Sequence, residues 1–275
     1  MTGTLYIVST PIGNLEDITL RALRILKNVD VIAAEDTRRS MKLLTYYNIS
    51  KPMISYWREK EKVRSSEIIH ILHSGQSVAL ISDAGTPGIS DPGSLVIRAA
   101  IEQNIHIVVV PGPTAFVAAL TLSGLPTEEF IFRGFLPARK EHRKKVLREL
   151  ILEPRTLVFY EAPHRLLDTL SDMKQIFVER KAALIKEVTK IYEEVLRGDV
   201  SEIFESVQKS KIAGEYVIIL EGKSKDKKIV TEDILHEVNS LIKKGLSRKD
   251  AVRKIADQYG VSKKELYDRS LHHDT

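Results

Sequence analysis

Along the first 115 residues, short β-branched and aliphatic runs alternate with stretches whose apolar positions recur every three or four residues. The runs at 5–9, 29–33, 53–56, 78–82 and 105–110 predict strands, and the stretches 19–27, 37–46, 62–73 and 92–103 predict amphipathic helices. Strands alternating with helices imply crossover connections and a mostly parallel sheet. The unbroken run Ile107-Val108-Val109-Val110 fits a strand covered on both faces.

Beyond residue 115 the pattern changes. A helix with an Ala-Ala-Leu centre leads to an apolar run at 130–135, a basic helix at 138–152, and further runs at 156–160, 182–187 and 216–221. These predict a second α+β domain ending near Gly222. A polar linker, Lys223 to Lys228, follows, and the remainder reads as helices at 231–244, 247–259 and 262–270. Ser247 and Ser262 suit N-caps, and Gly245 and Gly260 suit C-caps. Two short helices around one glycine predict a helix-turn-helix. The expected division is therefore 1–115, 116–222 and 223–275.

The informative loops follow strands. After the first run comes Thr10-Pro11-Ile12-Gly13-Asn14; after the fourth, the long turn-rich stretch 83–93; after the fifth, Pro111-Gly112-Pro113-Thr114. In open α/β sheets ligands bind outside the carboxyl ends of the strands, so three such loops on one edge predict a site. Glycines in 83–93 permit close backbone approach to a ligand, and its prolines fix the loop's shape. Asp83 offers a carboxylate to a cation or a ribose hydroxyl. Neither a Gly-x-x-x-x-Gly-Lys-Ser/Thr nor a Gly-x-Gly-x-x-Gly pattern is present, which argues against P-loop NTPases, NAD dehydrogenases and the commonest methyltransferase fold.

Composition narrows the picture further. No cysteine occurs in the 275 residues, excluding disulfides, thiolate metal sites and a cysteine nucleophile. His70 and His73 are spaced i, i+3 but lack acidic or thiol companions, so no metal is expected. The first ten residues lack a basic segment ahead of an apolar stretch, and no apolar run nears the roughly 20 residues of a membrane span. A cytoplasmic location is expected. The net charge of +5 is uneven: residues 223–275 hold 13 Lys and Arg against 9 Asp and Glu. A second basic cluster comprises Arg139, Lys140, Arg143, Lys144, Lys145 and Arg148. Such clusters suit a polyanion, because neutralising phosphates releases counterions, and equally a solvated face.

Three polar clusters sit at predicted strand ends. Glu35-Asp36-Thr37-Arg38-Arg39 either caps a helix or orients an anionic substrate. Tyr160-Glu161-Ala162-Pro163-His164-Arg165 suggests a site wall. Lys186-Glu187-Val188-Thr189-Lys190 precedes the acidic pair Glu193-Glu194 and reads as readily as a surface turn.

Five motifs then occur in order: Val8 to Leu15, Ala34 to Arg38, Ser82 to Pro87, Pro111 to Thr114, and Tyr160 to Arg165. Together they resemble the ribosomal RNA small-subunit methyltransferase I family, a branch of the tetrapyrrole (corrin/porphyrin) methylase superfamily, over nearly the whole chain. The resemblance implies two α/β domains of that type, the first sheet mostly parallel and the second mixed, plus a small helical appendage. It implies S-adenosylmethionine as methyl donor, 2′-O-methylation of a cytidine ribose in the decoding region of 16S rRNA within the 30S subunit, and a homodimer. Two stretches depart from the family pattern: Lys186 stands where arginine is frequent, and Tyr56-Trp57-Arg58-Glu59-Lys60 replaces a segment usually rich in His and Asn.

Carried over by position, the donor pocket should involve Pro11, Asp83, Gly85, Thr86, Pro87, Ile89, Thr114, Ala115 and Tyr160, with Glu215-Tyr216 closing it. Catalytic roles are expected for Glu35 and Glu161 as bases and for Arg38, Arg165 and Lys186 as phosphate holders. RNA contacts are expected from Arg39, Lys190, Arg139, Lys140, Arg143, Lys144 and Lys145, and from Arg248 and Lys249 in the tail. Two rival readings follow from the same residues. A tetrapyrrole C-methyltransferase of the same superfamily would not need a basic tail, and a helix-turn-helix regulator would bind duplex DNA.

Overall fold

The computed structural model describes residues 2–223 and 230–271. The chain forms two compact units, Met1–Gly222 and Lys223–Thr275. The expected linker lies largely at 224–229, outside the described residues.

In the first unit, β1 (Thr4–Val8), α1 (Leu20–Asn28), β2 (Val31–Ala34), α2 (Thr37–Tyr46), β3 (Met53–Ser55), α3 (Glu61–His73), β4 (Val78–Ile81), α4 (Ser94–Glu102) and β5 (His106–Val110) follow the predicted alternation. The strands form a parallel sheet in the order β3-β2-β4-β1-β5. Two apolar layers cover its faces, one around Leu5, Ile68, Leu72 and Leu80, the other around Val8, Leu26, Ile32 and Ile81. Strand β5 departs from expectation. Its apolar run sits at the sheet edge with Val109 55% exposed, because an edge strand has a neighbour on one side only. Helix α4 starts two residues later than predicted, after Gly93, whose φ of +148° suits glycine and lets the loop fold back against Gly88.

The chain continues through α5 (Ala115–Ser123), β6 (Phe130–Phe135), α6 (Lys140–Glu149), β7 (Thr156–Glu161), α7 (Leu166–Ile176), β8 (Lys181–Lys186), β9 (Glu194–Asp199), α8 (Val200–Gln208) and β10 (Tyr216–Leu220). These strands make a mixed sheet ordered β6-β7-β10-β8-β9, in which only β6 and β7 run parallel. Successive side chains on a strand point to opposite faces. Leu157, Phe159, Leu184 and Ile218 accordingly pack against α6, α7 and α8. Val158, Ala183, Ile185, Val217 and Ile219 face α5, joined there by Ile12 from the loop after β1. Helices α7 and α8 had no sequence assignment; both lie on the first of these faces.

That packing corrects one expected RNA contact. Arg143 is buried on α6 and its guanidinium grips the buried Asp172 of α7, with Nε 2.8 Å and Nη2 2.7 Å from Oδ2. It pins two helices rather than meeting solvent, whereas Arg139, Lys140 and Lys145 are exposed. Lys144 is partly covered and shares Asp172 and Gln175.

In the second unit, α9 (Glu232–Lys243), α10 (Arg248–Tyr259) and α11 (Lys263–Leu271) close a core of their own around Leu235, Val238, Val252, Ile255 and Leu266. Ser247 caps α10 by accepting from the amide of Asp250, and Gly260 ends it at φ +68°, as the sequence predicted. Arg248 is partly covered and donates to the carbonyl of Ser270, so it serves this small fold, while Lys249 is exposed.

Removing one member of a buried ion pair leaves an uncompensated charge and costs about 3–5 kcal/mol. Asp172→Ala should therefore lower the unfolding free energy by about that amount in denaturant titration, whereas exposed Arg148→Ala should stay within about 0.5 kcal/mol.

Candidate active site

Three loops meet at the carboxyl edge of the parallel sheet. Thr10 and Gly85 exchange backbone hydrogen bonds of 2.9 and 3.0 Å, joining the loop after β1 to the loop after β4. Thr10 Oγ1 donates to the carbonyl of Ser82 at 3.0 Å. The hydroxyls of Ser9, Thr86 and Thr114 form a chain with spacings of 2.8 and 3.2 Å, which brings in the loop after β5. Gly112 sits so close to Ser9 that an added Cβ would meet the serine Cβ at 2.9 Å. The three predicted turns thus share one rim.

Below that rim lies a cavity of 360 Å³, within the roughly 300–1,000 Å³ typical of small-molecule sites. The first sheet contributes Ile12, Ala84, Gly85, Thr86, Ile89, Ser90, Asp91, Thr114 and Ala115. The second sheet and the turn after β7 contribute Phe135, Tyr160, Glu161, Ala162, Pro163, Val188, Lys190, Glu215, Tyr216 and Val217. Of the residues expected to hold the donor, Gly85, Thr86, Ile89, Thr114, Ala115 and Tyr160 line this cavity. Pro11, Asp83 and Pro87 do not. Pro11 is buried, and the carboxylate of Asp83 is taken up by the amide of Asp36 at 3.0 Å and by Arg39 at 3.3 Å. Arg39 is thereby drawn to the rim, with its side chain still 70% exposed.

An aromatic wall closes one side. Strand β6 carries a bulge at Arg133–Gly134, with Gly134 at φ +63°, so Phe135 rather than Gly134 falls opposite Tyr160. The bulge turns Phe135 onto the cavity face. Its ring lies 5.6 Å from that of Tyr160, which also packs against Phe132, itself stacked on Phe116. The Tyr160 hydroxyl accepts from the amide of Phe116 at 3.2 Å, fixing the start of α5. Burial pushes the Tyr160 phenol up to about 12, with Asp91 and Glu215 adding to the shift.

Strand alternation separates residues that the sequence grouped together. Tyr160 faces the cavity, so its neighbour Glu161 points to the α7 side, where its side chain is fully covered. There it accepts from Thr169 Oγ1 at 2.6 Å and from the amide of Ala162 at 2.9 Å, and pairs with Arg165 at 3.2 Å. Glu161 thus reaches the cavity wall at the end of β7 but has its carboxylate engaged by these partners, and Arg165, which also donates to the Leu136 carbonyl, is one of them. Lys186 shares that face and pairs with Glu194 at 3.5 Å, away from the cavity wall. Lys190, expected on RNA, stands in the wall and bridges Glu187 at 2.8 Å and Glu215 at 3.0 Å.

Glu35, at the end of β2, belongs to a group of half-buried carboxylates with Asp83 and Asp91. Burial raises its pKa above the usual glutamate value, and the charges of Asp91 and Asp83 raise it further. Asp83 and Asp91 are raised as well, again chiefly by burial. Asp36 is the N-cap of α2, accepting from the amide of Arg38 at 2.8 Å, and Arg38 itself is exposed. No group of three or more His, Cys, Asp or Glu among the described residues is arranged to hold a metal ion. The residues the sequence did not single out are Asp91 and Phe135. Asp91 lay in the loop already marked; Phe135 depends on the bulge, and Gly134 in an aromatic run was its only signal.

A raised carboxylate pKa means that the fold opposes ionisation. The penalty is absent below about pH 4, the ordinary carboxylate range, and present in full above the raised value. Asp91→Asn should therefore raise the melting temperature at pH 7, and calorimetry should show that gain vanishing as the pH falls to about 4.

The comparisons agree with this architecture. The family model for tetrapyrrole (corrin/porphyrin) methylases matches residues 4–203. The ribosomal RNA small subunit methyltransferase I of Halalkalibacterium halodurans is 43% identical over 272 residues, covering 96% of this chain and 93% of that protein. The protein of the same name from Thermotoga maritima is 47% identical over 221 residues, 80% of this chain and 99% of that protein. Two solved structures share the fold. Diphthine synthase is 15% identical with a TM-score of 0.63, covering 80% of this chain and 90% of that one. A uroporphyrin-III C-methyltransferase from Thermus thermophilus, complexed with S-adenyl homocysteine, is 19% identical with a TM-score of 0.57, covering 80% and 97%. The chain therefore belongs to the tetrapyrrole (corrin/porphyrin) methylase family, in the branch formed by the ribosomal RNA small subunit methyltransferase I proteins.

Proposed function

We propose that this protein transfers a methyl group from S-adenosylmethionine to the 2′-hydroxyl of a cytidine ribose in the decoding region of 16S rRNA, on the 30S subunit. The observation that carries the reading is the cavity beneath the joined loops, in a chain that shares 43% identity with a relative so named. The cavity's chemistry fits the donor. Phe135 and Tyr160 offer an aromatic wall for the adenine, the backbone at Ala84–Thr86 allows close approach, and Asp91 presents a carboxylate to a cationic ligand. S-adenosylmethionine supplies the activated methyl carbon.

The chain's own residues must align the ribose oxygen, exclude water and take its proton. Glu35 is the base candidate with the less engaged carboxylate, holding one long hydrogen bond of 3.5 Å from the Asp83 amide, whereas Glu161 is bound by Thr169, Ala162 and Arg165. A raised pKa brings a carboxylate nearer the working pH and makes it a better acceptor. Arg38 and Arg39, exposed on the first turn of α2 beside Glu35, suit phosphates flanking the target. Exposed Arg139, Lys140 and Lys145 on α6 of the first unit, and separately exposed Lys249 on α10 of the second, offer further cations to the RNA backbone. A homodimer acting in the cytoplasm is part of this reading; the exposed apolar edge strand β5 supports self-association. No described helix is long and apolar enough to cross a membrane.

Glu35→Gln should slow single-turnover methylation of 30S subunits by about 10²–10⁴-fold. The wild-type rate should rise with pH through the raised glutamate pKa, and the variant should lose that limb. Wild-type rates at every pH would remove Glu35 from the mechanism. Deleting 223–275 should weaken subunit binding and flatten its salt dependence, while calorimetric binding of S-adenosylmethionine persists. The Thermotoga maritima relative, whose aligned length of 221 residues nearly equals the first unit, supports that separation.

A further inference from the structure

The turn between β8 and β9 carries two large apolar side chains into solvent. Ile191 is 95% exposed and Tyr192 77% exposed, although the turn that bears them is tightly held. The amide of Glu187 donates to the Glu215 carbonyl at 2.9 Å, that of Lys190 to the Glu187 carbonyl at 2.9 Å, and that of Thr189 to Glu193 Oε2 at 2.7 Å. Gly13 seats against the Lys190 stem so closely that a Cβ there would lie 2.3 Å from Cγ. Glu187 and Thr189 both adopt left-handed backbone, at φ +50° and +68°. For a β-branched threonine this conformation is unfavourable and persists only where surroundings impose it.

The same turn also forms the cavity wall, through Val188 and Lys190. The carboxylates around it have partners within the protein, Glu187 and Glu215 with Lys190, Glu193 with the Thr189 amide and Glu194 with Lys186, while Glu193, Glu194 and Glu215 stay exposed to solvent. The tip itself is an apolar pair on fixed backbone, directly following the cavity-lining Lys190. A nucleotide that turns its ribose into a concave site swings away from its neighbours and exposes a neighbour's face, as a base does when it is flipped into an enzyme pocket. Proteins that unstack nucleic acid commonly fill that gap with an apolar wedge or an aromatic ring.

We infer that the Ile191–Tyr192 tip is a nucleotide platform, on which Tyr192 stacks against the RNA base next to the target while Ile191 fills the vacated space. This inference rests on the proposed RNA methyl transfer and specifies how the same site takes its substrate. Preformed backbone at the tip means that no ordering of the loop is needed when RNA arrives.

The test compares wild type, Tyr192→Ala, Tyr192→Phe and Ile191→Ser with 30S subunits lacking the methyl group, under single-turnover conditions. Stacking on an aromatic ring implies that Tyr192→Ala raises the half-saturating subunit concentration about 5- to 100-fold. Tyr192→Phe should restore it, and Ile191→Ser should fall between. Calorimetric affinity for S-adenosylmethionine and the sedimentation coefficient should stay at wild-type values in every variant. Wild-type saturation by Tyr192→Ala would overturn the inference. So would a sedimentation change in that variant, because the tip would then be an interface between copies of this chain. If the wild-type chain itself transfers no methyl group to the subunits, the parent reading fails first, which separates the two failures.

Discussion

Three loops that leave different strands are held together by a chain of hydroxyls, Ser9 to Thr86 to Thr114, and by the backbone pairing of Thr10 with Gly85. Each such bond contributes only about 0.5–1.5 kcal/mol. Their weight lies in position, because they cross between segments some 75 and 28 residues apart in sequence. Ser9 and Thr10 are buried, so they have no water to exchange for these partners. Without that junction the long loop after β4 would have no fixed relation to α5 or to the aromatic wall. With it, the backbone of Ala84–Thr86 and the side chains of Asp91, Phe135 and Tyr160 enclose one volume.

The second constraint is the two-residue period of the mixed sheet. One face of β7, β8 and β10 builds the hydrophobic layer under α6, α7 and α8; the other meets α5 and the cavity. Tyr160 and Glu161 therefore divide between site and scaffold. Glu161, locked to Thr169 and Arg165, fastens the end of β7 to α7 and so steadies the residue beside it. Arg143 with Asp172 does the same between α6 and α7. Polar residues in striking motifs here often serve as fasteners rather than reactants.

Much of the fold was legible in the sequence because period and turn chemistry report it directly. Strands β1 to β5, the helices between them, and the caps at Ser247 and Gly260 follow from local patterns. The site's first-sheet half was legible too, since its residues sit in loops marked by glycine and proline. The second-sheet half was not. Strand β7 is apolar on both faces, so its pattern does not say which side chain faces inward; Tyr160 and Glu161 both border the cavity at the strand end, but only the Tyr160 ring turns into it while the Glu161 carboxylate is taken up on the α7 side. Phe135 reaches the cavity only because a bulge shifts the register by one. Arg143 looked like its basic neighbours, and its buried partner Asp172 is 29 residues away. Charge counts do not reveal such long-range pairing.

The central claim is that the cavity under the joined loops is the methyl-donor site. Its most direct test is calorimetric titration of S-adenosylhomocysteine into wild type and into Ala115→Trp, where a bulky side chain at the start of α5 fills the volume. Saturable heat at one equivalent per chain for wild type, abolished in a variant that still melts cooperatively, is the predicted result. Equal binding by both proteins would contradict it.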